Sequence, residues 1–249
     1  MKRITLLICS VLFLALPAAR GHCAEVRLVV DEWPPFVSKD LPGHGFAAEI
    51  VTEAFAAAGI SAHIEFMPWK RCEATVRNGE AFASFPYART GERAKVFDFS
   101  DTFLVLQDKF FFLEERFPGF EFQTLDDLRP MLIGGAIGYH YEARLAEAGL
   151  HVEYASTSLA SFRKLLAGRV DVVLEEEMAG RAIVAELLPG REDMVAVAGQ
   201  PFSVNENCLL VSKTYPDADA TMRAFNRGLR IIKADGRYES ILRKHGLAP

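Results

Sequence analysis

Two passages of this chain repeat one pattern. Val76-Arg77-Asn78-Gly79-Glu80-Ala81-Phe82 and Leu165-Leu166-Ala167-Gly168-Arg169-Val170-Asp171 each run from a helix end through a glycine into a strand-like segment. A glycine just past a helix supplies the left-handed backbone that stops it. The elements around both passages follow the same order. Val26–Val30 is a valine-rich run of the kind buried in parallel sheets. Gly45–Ala58 places Phe46, Ile50, Val51, Ala54 and Ala58 on one helical face. Ile64–Met67 is a strand, Trp69–Asn78 a helix and Phe82–Phe85 a third strand. In the second copy Met131–Ile137, Val152–Tyr154 and Val170–Leu174 are strands, with helices at Tyr141–Ala148 and Leu159–Ala167. Two βαβαβ units point to two α/β halves rather than one sheet. Leu104–Glu114 is a long apolar stretch able to cross between them. The tail adds a strand at Asn207–Ser212 and helices at Ala218–Ala234 and Tyr238–Lys244.

The start of the chain reads as an export signal. Lys2 and Arg3 precede an apolar run, Ile4–Leu16, followed by Pro17-Ala18-Ala19. That run is short of the roughly 20 apolar residues a bilayer span needs. Cleavage is expected between Ala18 and Ala24. Cys23 raises the question of lipid attachment, but Arg20-Gly21-His22 is a poor lead-in, and a soluble exported protein is the expectation. Removing residues 1–24 takes away Lys2, Arg3 and Arg20 and no acid. The 28 basic side chains fall to 25 against 33 acidic ones, a net charge of −8. Nucleic acid is therefore a poor partner, since phosphate contacts need a basic excess.

The four cysteines form no CxxC pair and no cluster with histidine, which excludes a zinc ribbon or disulfide scaffold. Cys72 and Cys208 survive cleavage. A packed thiol is the default for Cys72, with a Cys72–Cys208 disulfide as the alternative. GxSxG, HExxH and P-loop motifs are absent, and His44, His63, His140, His151 and His245 are scattered. No catalytic residue, metal site or cofactor is expected.

Ligands of open parallel α/β units bind beyond the carboxyl ends of the strands. After the first strand stands Asp31-Glu32-Trp33-Pro34-Pro35-Phe36, where Trp33 is a rigid aromatic face. After the third comes Pro86-Tyr87-Ala88-Arg89-Thr90-Gly91-Glu92-Arg93, whose arginines can fork a carboxylate. In the second unit Gly134-Gly135-Ala136-Ile137-Gly138-Tyr139 is a glycine-rich turn whose N–H groups can hold an anion. It lacks the full dinucleotide fingerprint. Glu175-Glu176-Glu177 offers carboxylates for an ammonium group, although acids also gather at helix starts. A zwitterion between two halves would satisfy both sides.

Six motifs in order then carry a resemblance. They are Trp33-Pro34-Pro35-Phe36, Gly45-Phe46 with Glu49-Ile50, Thr90-Gly91-Glu92-Arg93, Phe97-Asp98-Phe99-Ser100-Asp101, Ala167-Gly168-Arg169-Val170-Asp171 and Ala234-Asp235-Gly236-Arg237-Tyr238. From about Val26 to Gly246 the chain resembles the bacterial extracellular solute-binding proteins of family 3. Pro68-Trp69-Lys70-Arg71 and Phe85-Pro86-Tyr87 look like one branch of it. The resemblance implies the two-lobed, type II periplasmic binding protein fold, with two α/β lobes, a two-strand hinge and a ligand cleft between. Lobe one is expected at 25–106 plus 207–249 and lobe two at 107–206, with crossings near Gln107–Phe110 and Ser203–Cys208.

The implied function is capture of a small polar solute, an amino acid or related zwitterion, for the membrane permease of an ABC importer. The protein would be periplasmic and monomeric. A sensing accessory on the same fold is an alternative, and an enzyme resembling cyclohexadienyl dehydratase a more distant one. The implied ligand residues are Trp33, Tyr87, Arg93, Gly138, Tyr139, His140 and Glu176. Arg93 would clamp a carboxylate, Trp33 would stack on the ligand, the Gly138–His140 loop would add carboxylate contacts and Glu176 would hold the ammonium. The chain departs from the family pattern at three points. Glu176 stands where aspartate is usual, Phe85, Pro86 and Ala88 stand where small hydroxyl residues are common, and Phe82 replaces an aspartate.

Overall fold

The structure is a computed structural model that describes residues 24–247. The leader, its cleavage site and Cys23 lie outside the described residues. The first half opens with β1 (Ala24–Val30), where Leu28, Val29 and Val30 are fully buried. Next come α1 (Phe46–Ala57), β2 (Ile60–Phe66), α2 (Trp69–Arg77), β3 (Ala83–Ala88), α3 (Gly91–Val96) and the short β4 (Asp98–Phe99). β1 pairs in parallel with β2 on one side and β3 on the other. The chain then crosses on β5 (Leu104–Leu113).

The second half repeats the plan with β6 (Leu132–Ala136), α4 (Glu142–Glu147), β7 (His151–Ala155), α5 (Ser158–Leu166), β8 (Val172–Glu176), α6 (Glu177–Leu187) and β9 (Val195–Val197). β6 lies between β7 and β8, parallel to both. Return is by β10 (Ser203–Val211), and α7 (Ala218–Ala234) and α8 (Arg237–Lys244) complete the first half.

The two units do not form separate sheets. Strand order is β2-β1-β3-β10-β5-β8-β6-β7, so the antiparallel pair β10–β5 links two parallel triplets of the same internal order. Ser203–Asn207 of β10 faces Leu104–Asp108 of β5. Beyond that shared ribbon, β10 goes on to pair with β3 and β5 with β8. Only this ribbon carries the main chain between the halves.

Each triplet has its own core. In the first, Phe36, Phe46, Ile50 and Phe55 pack against Phe225, Leu229 and Ile232 of α7. The α1–α7 crossing is close because Gly228 sits at it; a Cβ there would come 1.8 Å from the Ala54 carbonyl oxygen. In the second, Phe110, Phe112, Ile133, Leu145 and Val172 fill one face of the sheet, and Phe111, Phe162, Leu165 and Val173 the other. The first turn of α6 reaches across, and Ala179 and Met178 pack against the first half's core. No described helix is long and apolar enough to cross a membrane.

Two expectations about local structure need correction. Pro86-Tyr87-Ala88 belongs to β3 rather than to a loop. β10 pairs Cys208 with Tyr87 but Leu210 with Ser84, so two β3 residues face one on β10 around Pro86. A bulge there lets the strand pass a residue without an N–H. Gly134 and Gly135 lie in β6, not in a turn. A Cβ on Gly134 would stand 3.0 Å from a Val173 methyl and one on Gly135 3.2 Å from the Tyr154 ring, so both serve packing. Cys72 is the packed thiol expected by default, and the alternative disulfide is not made: Cys72 and Cys208 are both buried free thiols. Cys72 Sγ faces the Met67 carbonyl at 3.2 Å, while Cys208 Sγ lies by Arg89 and Thr102. Burial pushes the Cys72 thiol up to about 12.

Candidate functional site

The carboxyl ends of β1, β3, β6 and β8 meet at the β10–β5 ribbon around a cleft open to solvent. Trp33, Tyr87, Arg93, Gly138, Tyr139, His140 and Glu176 all line it, drawn from both halves.

The first half supplies aromatic walls and a guanidinium. Trp33 lies in the loop after β1, held by backbone hydrogen bonds with Val37. Its ring packs on Phe36 at 4.4 Å and meets Trp69 edge-on at 6.4 Å; Trp69 in turn meets Tyr87 at 5.1 Å. Arg93 is positioned by the start of α3, where Thr90 Oγ1 caps the helix by accepting from the Arg93 N–H at 3.2 Å. Its guanidinium lies 4.7 Å over the Tyr87 ring, as cation–π attraction favours. Nη1 donates to the Ala88 carbonyl at 3.2 Å and Nη2 to Glu73 Oε1 at 3.3 Å. Arg89 points elsewhere, donating to the Ser100 carbonyl.

The second half supplies carboxylates, and the three consecutive glutamates have three fates. Glu177 pairs with Lys109 at 2.7 Å and Arg181 at 2.8 Å. Partial burial raises its pKa, but these two cations more than offset that and hold it below the usual value. Glu176, only 3 % exposed, caps α6 by accepting from the Ala179 N–H at 2.9 Å, and it also faces the cavity. Burial pushes its carboxyl up to about 8, against the pull of that N–H; the neighbouring Glu175 raises it further. Glu175, 1 % exposed, is raised to about 7, again chiefly by burial. Hydrogen bonding from Ser158 and the Glu176 N–H eases that cost, and the Trp33 indole adds a smaller contribution. Even so, neither Glu175 Oε2 nor Trp33 Nε1 completes a hydrogen bond.

The expected anion-holding turn is already satisfied from within. The Ala136 N–H donates to Tyr141 Oη at 3.1 Å, and the Gly138 N–H is engaged by the Glu142 carboxylate. Tyr139 Oη lies 3.0 Å from Ser158 Oγ. His140, expected among scattered surface histidines as well as in the ligand loop, has Nε2 2.7 Å from Asp108 Oδ2.

Sequence reasoning missed Asp108, Glu73, Asn205 and Asn207, all of which line the cavity. Asp108 is 2 % exposed. Its Oδ2 also accepts from Ser203 Oγ at 2.5 Å and Asn205 Nδ2 at 2.6 Å, tying β5, β10 and the turn after β6 together. One signal was available: an aspartate inside the apolar run Leu104–Leu113 is out of place unless its charge is matched.

Comparison with known proteins fits this architecture. The family model for bacterial extracellular solute-binding proteins, family 3, matches residues 26–248. No curated protein matches. Among solved structures, a histidine kinase sensor domain with similarity to periplasmic binding proteins superposes with a TM-score of 0.78 at 20% identity, covering 90% of this chain and 98% of that one. An ancestral arginine-binding protein bound to arginine gives 0.75 at 23%, covering 89% and 97%. An amino acid ABC transporter substrate-binding protein from Streptococcus pneumoniae, bound to L-arginine, gives 0.73 at 18%, covering 89% and 94%. At these identities the likeness is one of fold. The family match spans nearly all the described chain, and this protein belongs to the bacterial extracellular solute-binding proteins of family 3.

Proposed function

We propose that this protein captures a small polar solute bearing an amino group, of the amino-acid type, in the periplasm and delivers it to the permease of an ABC importer. Residues 25–106 plus 207–249 and residues 107–206 would act as two lobes that close about the β5–β10 ribbon, as periplasmic binding proteins close around their ligands. The observation that carries this is the cavity itself: Trp33 and Arg93 come to it from one half and Glu176 from the other. A buried carboxyl raised to about 8 at its wall is what an ammonium group would relieve. The similar structures that bind arginine support an amino-acid-type ligand. The sensor-domain likeness supports a second reading, in which the same capture signals to a membrane partner.

A thermal-shift screen of the mature protein against amino acids, polyamines and small organic acids tests the capture. A solute at 100 times its Kd should add about 2.7 kcal/mol, or roughly 5–11 °C in Tm for a chain of this size. A flat response across the whole screen would count against the reading. Uptake of the identified solute in cells lacking the protein separates import from sensing.

A further inference from the structure

Above the pH at which Glu176 ionises, the charges that face this cavity do not balance. Glu73, Asp108 and Glu176 line it, against the Arg93 guanidinium and the His140 ring. Glu175, next to Glu176 but outside the cavity lining, has one carboxylate oxygen buried and unpartnered. His140 is bonded to Asp108, and the Arg93 fork is already occupied. Its Nη2 holds Glu73, its Nη1 holds the Ala88 carbonyl, and its face covers Tyr87. The Arg93 side chain is 16 % exposed and that of Glu73 29 %, so this ion pair is partly withdrawn from water.

A solute carboxylate arriving at Arg93 would therefore meet Glu73 on the same guanidinium. Two carboxylates on one guanidinium repel unless further positive charge comes with the second. A neutral amino acid brings an ammonium that only balances its own carboxylate, so it adds no net positive charge, and an acidic one adds to the excess. A solute with more amino or guanidino groups than carboxylates meets the reverse situation, because Glu176 lines the cavity and Glu175 Oε2 is unpartnered among the described residues.

Resting on the solute-binding reading above, we infer that Glu73 selects for solutes of net positive charge by occupying the Arg93 fork. The ligand class is then an organic cation, a diamine or a basic amino acid, and neutral or acidic amino acids are rejected. Specificity of this kind comes from a repulsive element as much as from an attractive one.

Calorimetric titration at pH 8 with putrescine, L-arginine, L-glutamine and L-glutamate tests this on the native protein, Glu73→Gln and Glu73→Asp. The native protein should bind putrescine or L-arginine at least about tenfold more tightly than L-glutamine, with L-glutamate weaker still. Glu73→Gln should shrink that gap by about tenfold or more, through gains for L-glutamine and L-glutamate. Glu73→Asp keeps the charge and should keep the order. L-glutamine or L-glutamate binding the native protein more tightly than both cations would overturn the inference while leaving solute capture standing. So would an unchanged ranking in Glu73→Gln. Silence from all four probes overturns it as well, and silence across the wider screen removes the capture reading too.

Discussion

Glu176→Gln should weaken solute binding by roughly thirty- to several-thousandfold, the usual effect of leaving a buried charge without its partner. Glu176 is 3 % exposed and faces the cavity from the start of α6. Closing the lobes over a cationic solute would strip the water from both charges, so losing the carboxylate leaves the solute's ammonium unmatched. The fold should tolerate the change, because a glutamine side-chain oxygen can still accept from the Ala179 N–H that Glu176 now caps. Calorimetry at pH 8, with circular dichroism as the check on folding, gives the answer. Arg93→Ala is the companion. It should cost a comparable factor if the solute carries a carboxylate, and Arg93→Lys should hurt too, because an ammonium cannot reproduce a planar fork. A diamine should be far less sensitive to both Arg93 changes, which makes the pair of sites a reading of the solute's own chemistry.

The second large effect is on pH dependence, where stability and binding should move in opposite directions. Glu175 and Glu176 would ionise near 4.5 in the unfolded chain but are raised to about 7 and about 8 in the folded protein. Between those limits the folded state holds protons that the unfolded state has released, so stability falls as pH rises. The loss begins near pH 4.5, is largely complete by pH 8, and amounts to several kcal/mol in order of magnitude. The melting point of the empty protein should therefore drop between about pH 5 and pH 8. Glu175→Gln and Glu176→Gln should each flatten that slope. Affinity for a cation should meanwhile rise, by up to about tenfold for each pH unit below 8, as Glu176 gives up its proton more readily. A melting point that climbs across this window would show that these carboxyls are ionised in the empty cleft.

What the sequence made legible, and what it hid, follows from which interactions are local. The strand and helix pattern of both halves could be read because glycine stops and apolar stripes act within a few residues. The seven expected ligand residues share one cavity because a parallel strand's carboxyl end points the same way whatever its neighbours are. Pro86 marked a loop by its own chemistry, yet a bulge opposite β10 keeps it in β3, and a bulge depends on a partner strand 120 residues away. Gly134 and Gly135 fitted an anion-holding turn and a close contact with Val173 and Tyr154 equally well; only packing separates these. Asp108 and Asn205 reach the cavity through the antiparallel register of β5 and β10, which neither segment encodes alone. Glu73 is one turn into α2, beside the buried face made by Cys72, Thr75 and Val76. Its contact with Arg93, twenty residues on, is tertiary.

Capture as proposed here holds a cationic solute between the two halves, at Glu176 and against Trp33. The crystal structure of the protein with the solute that gives the largest thermal shift measures this directly. It should show an amino or guanidino nitrogen within hydrogen-bond distance of the Glu176 carboxylate and the solute in contact with the Trp33 ring, enclosed by both halves. Solute density away from this cavity, or in it but with its cationic group turned from Glu176, would rule out cation capture at this site.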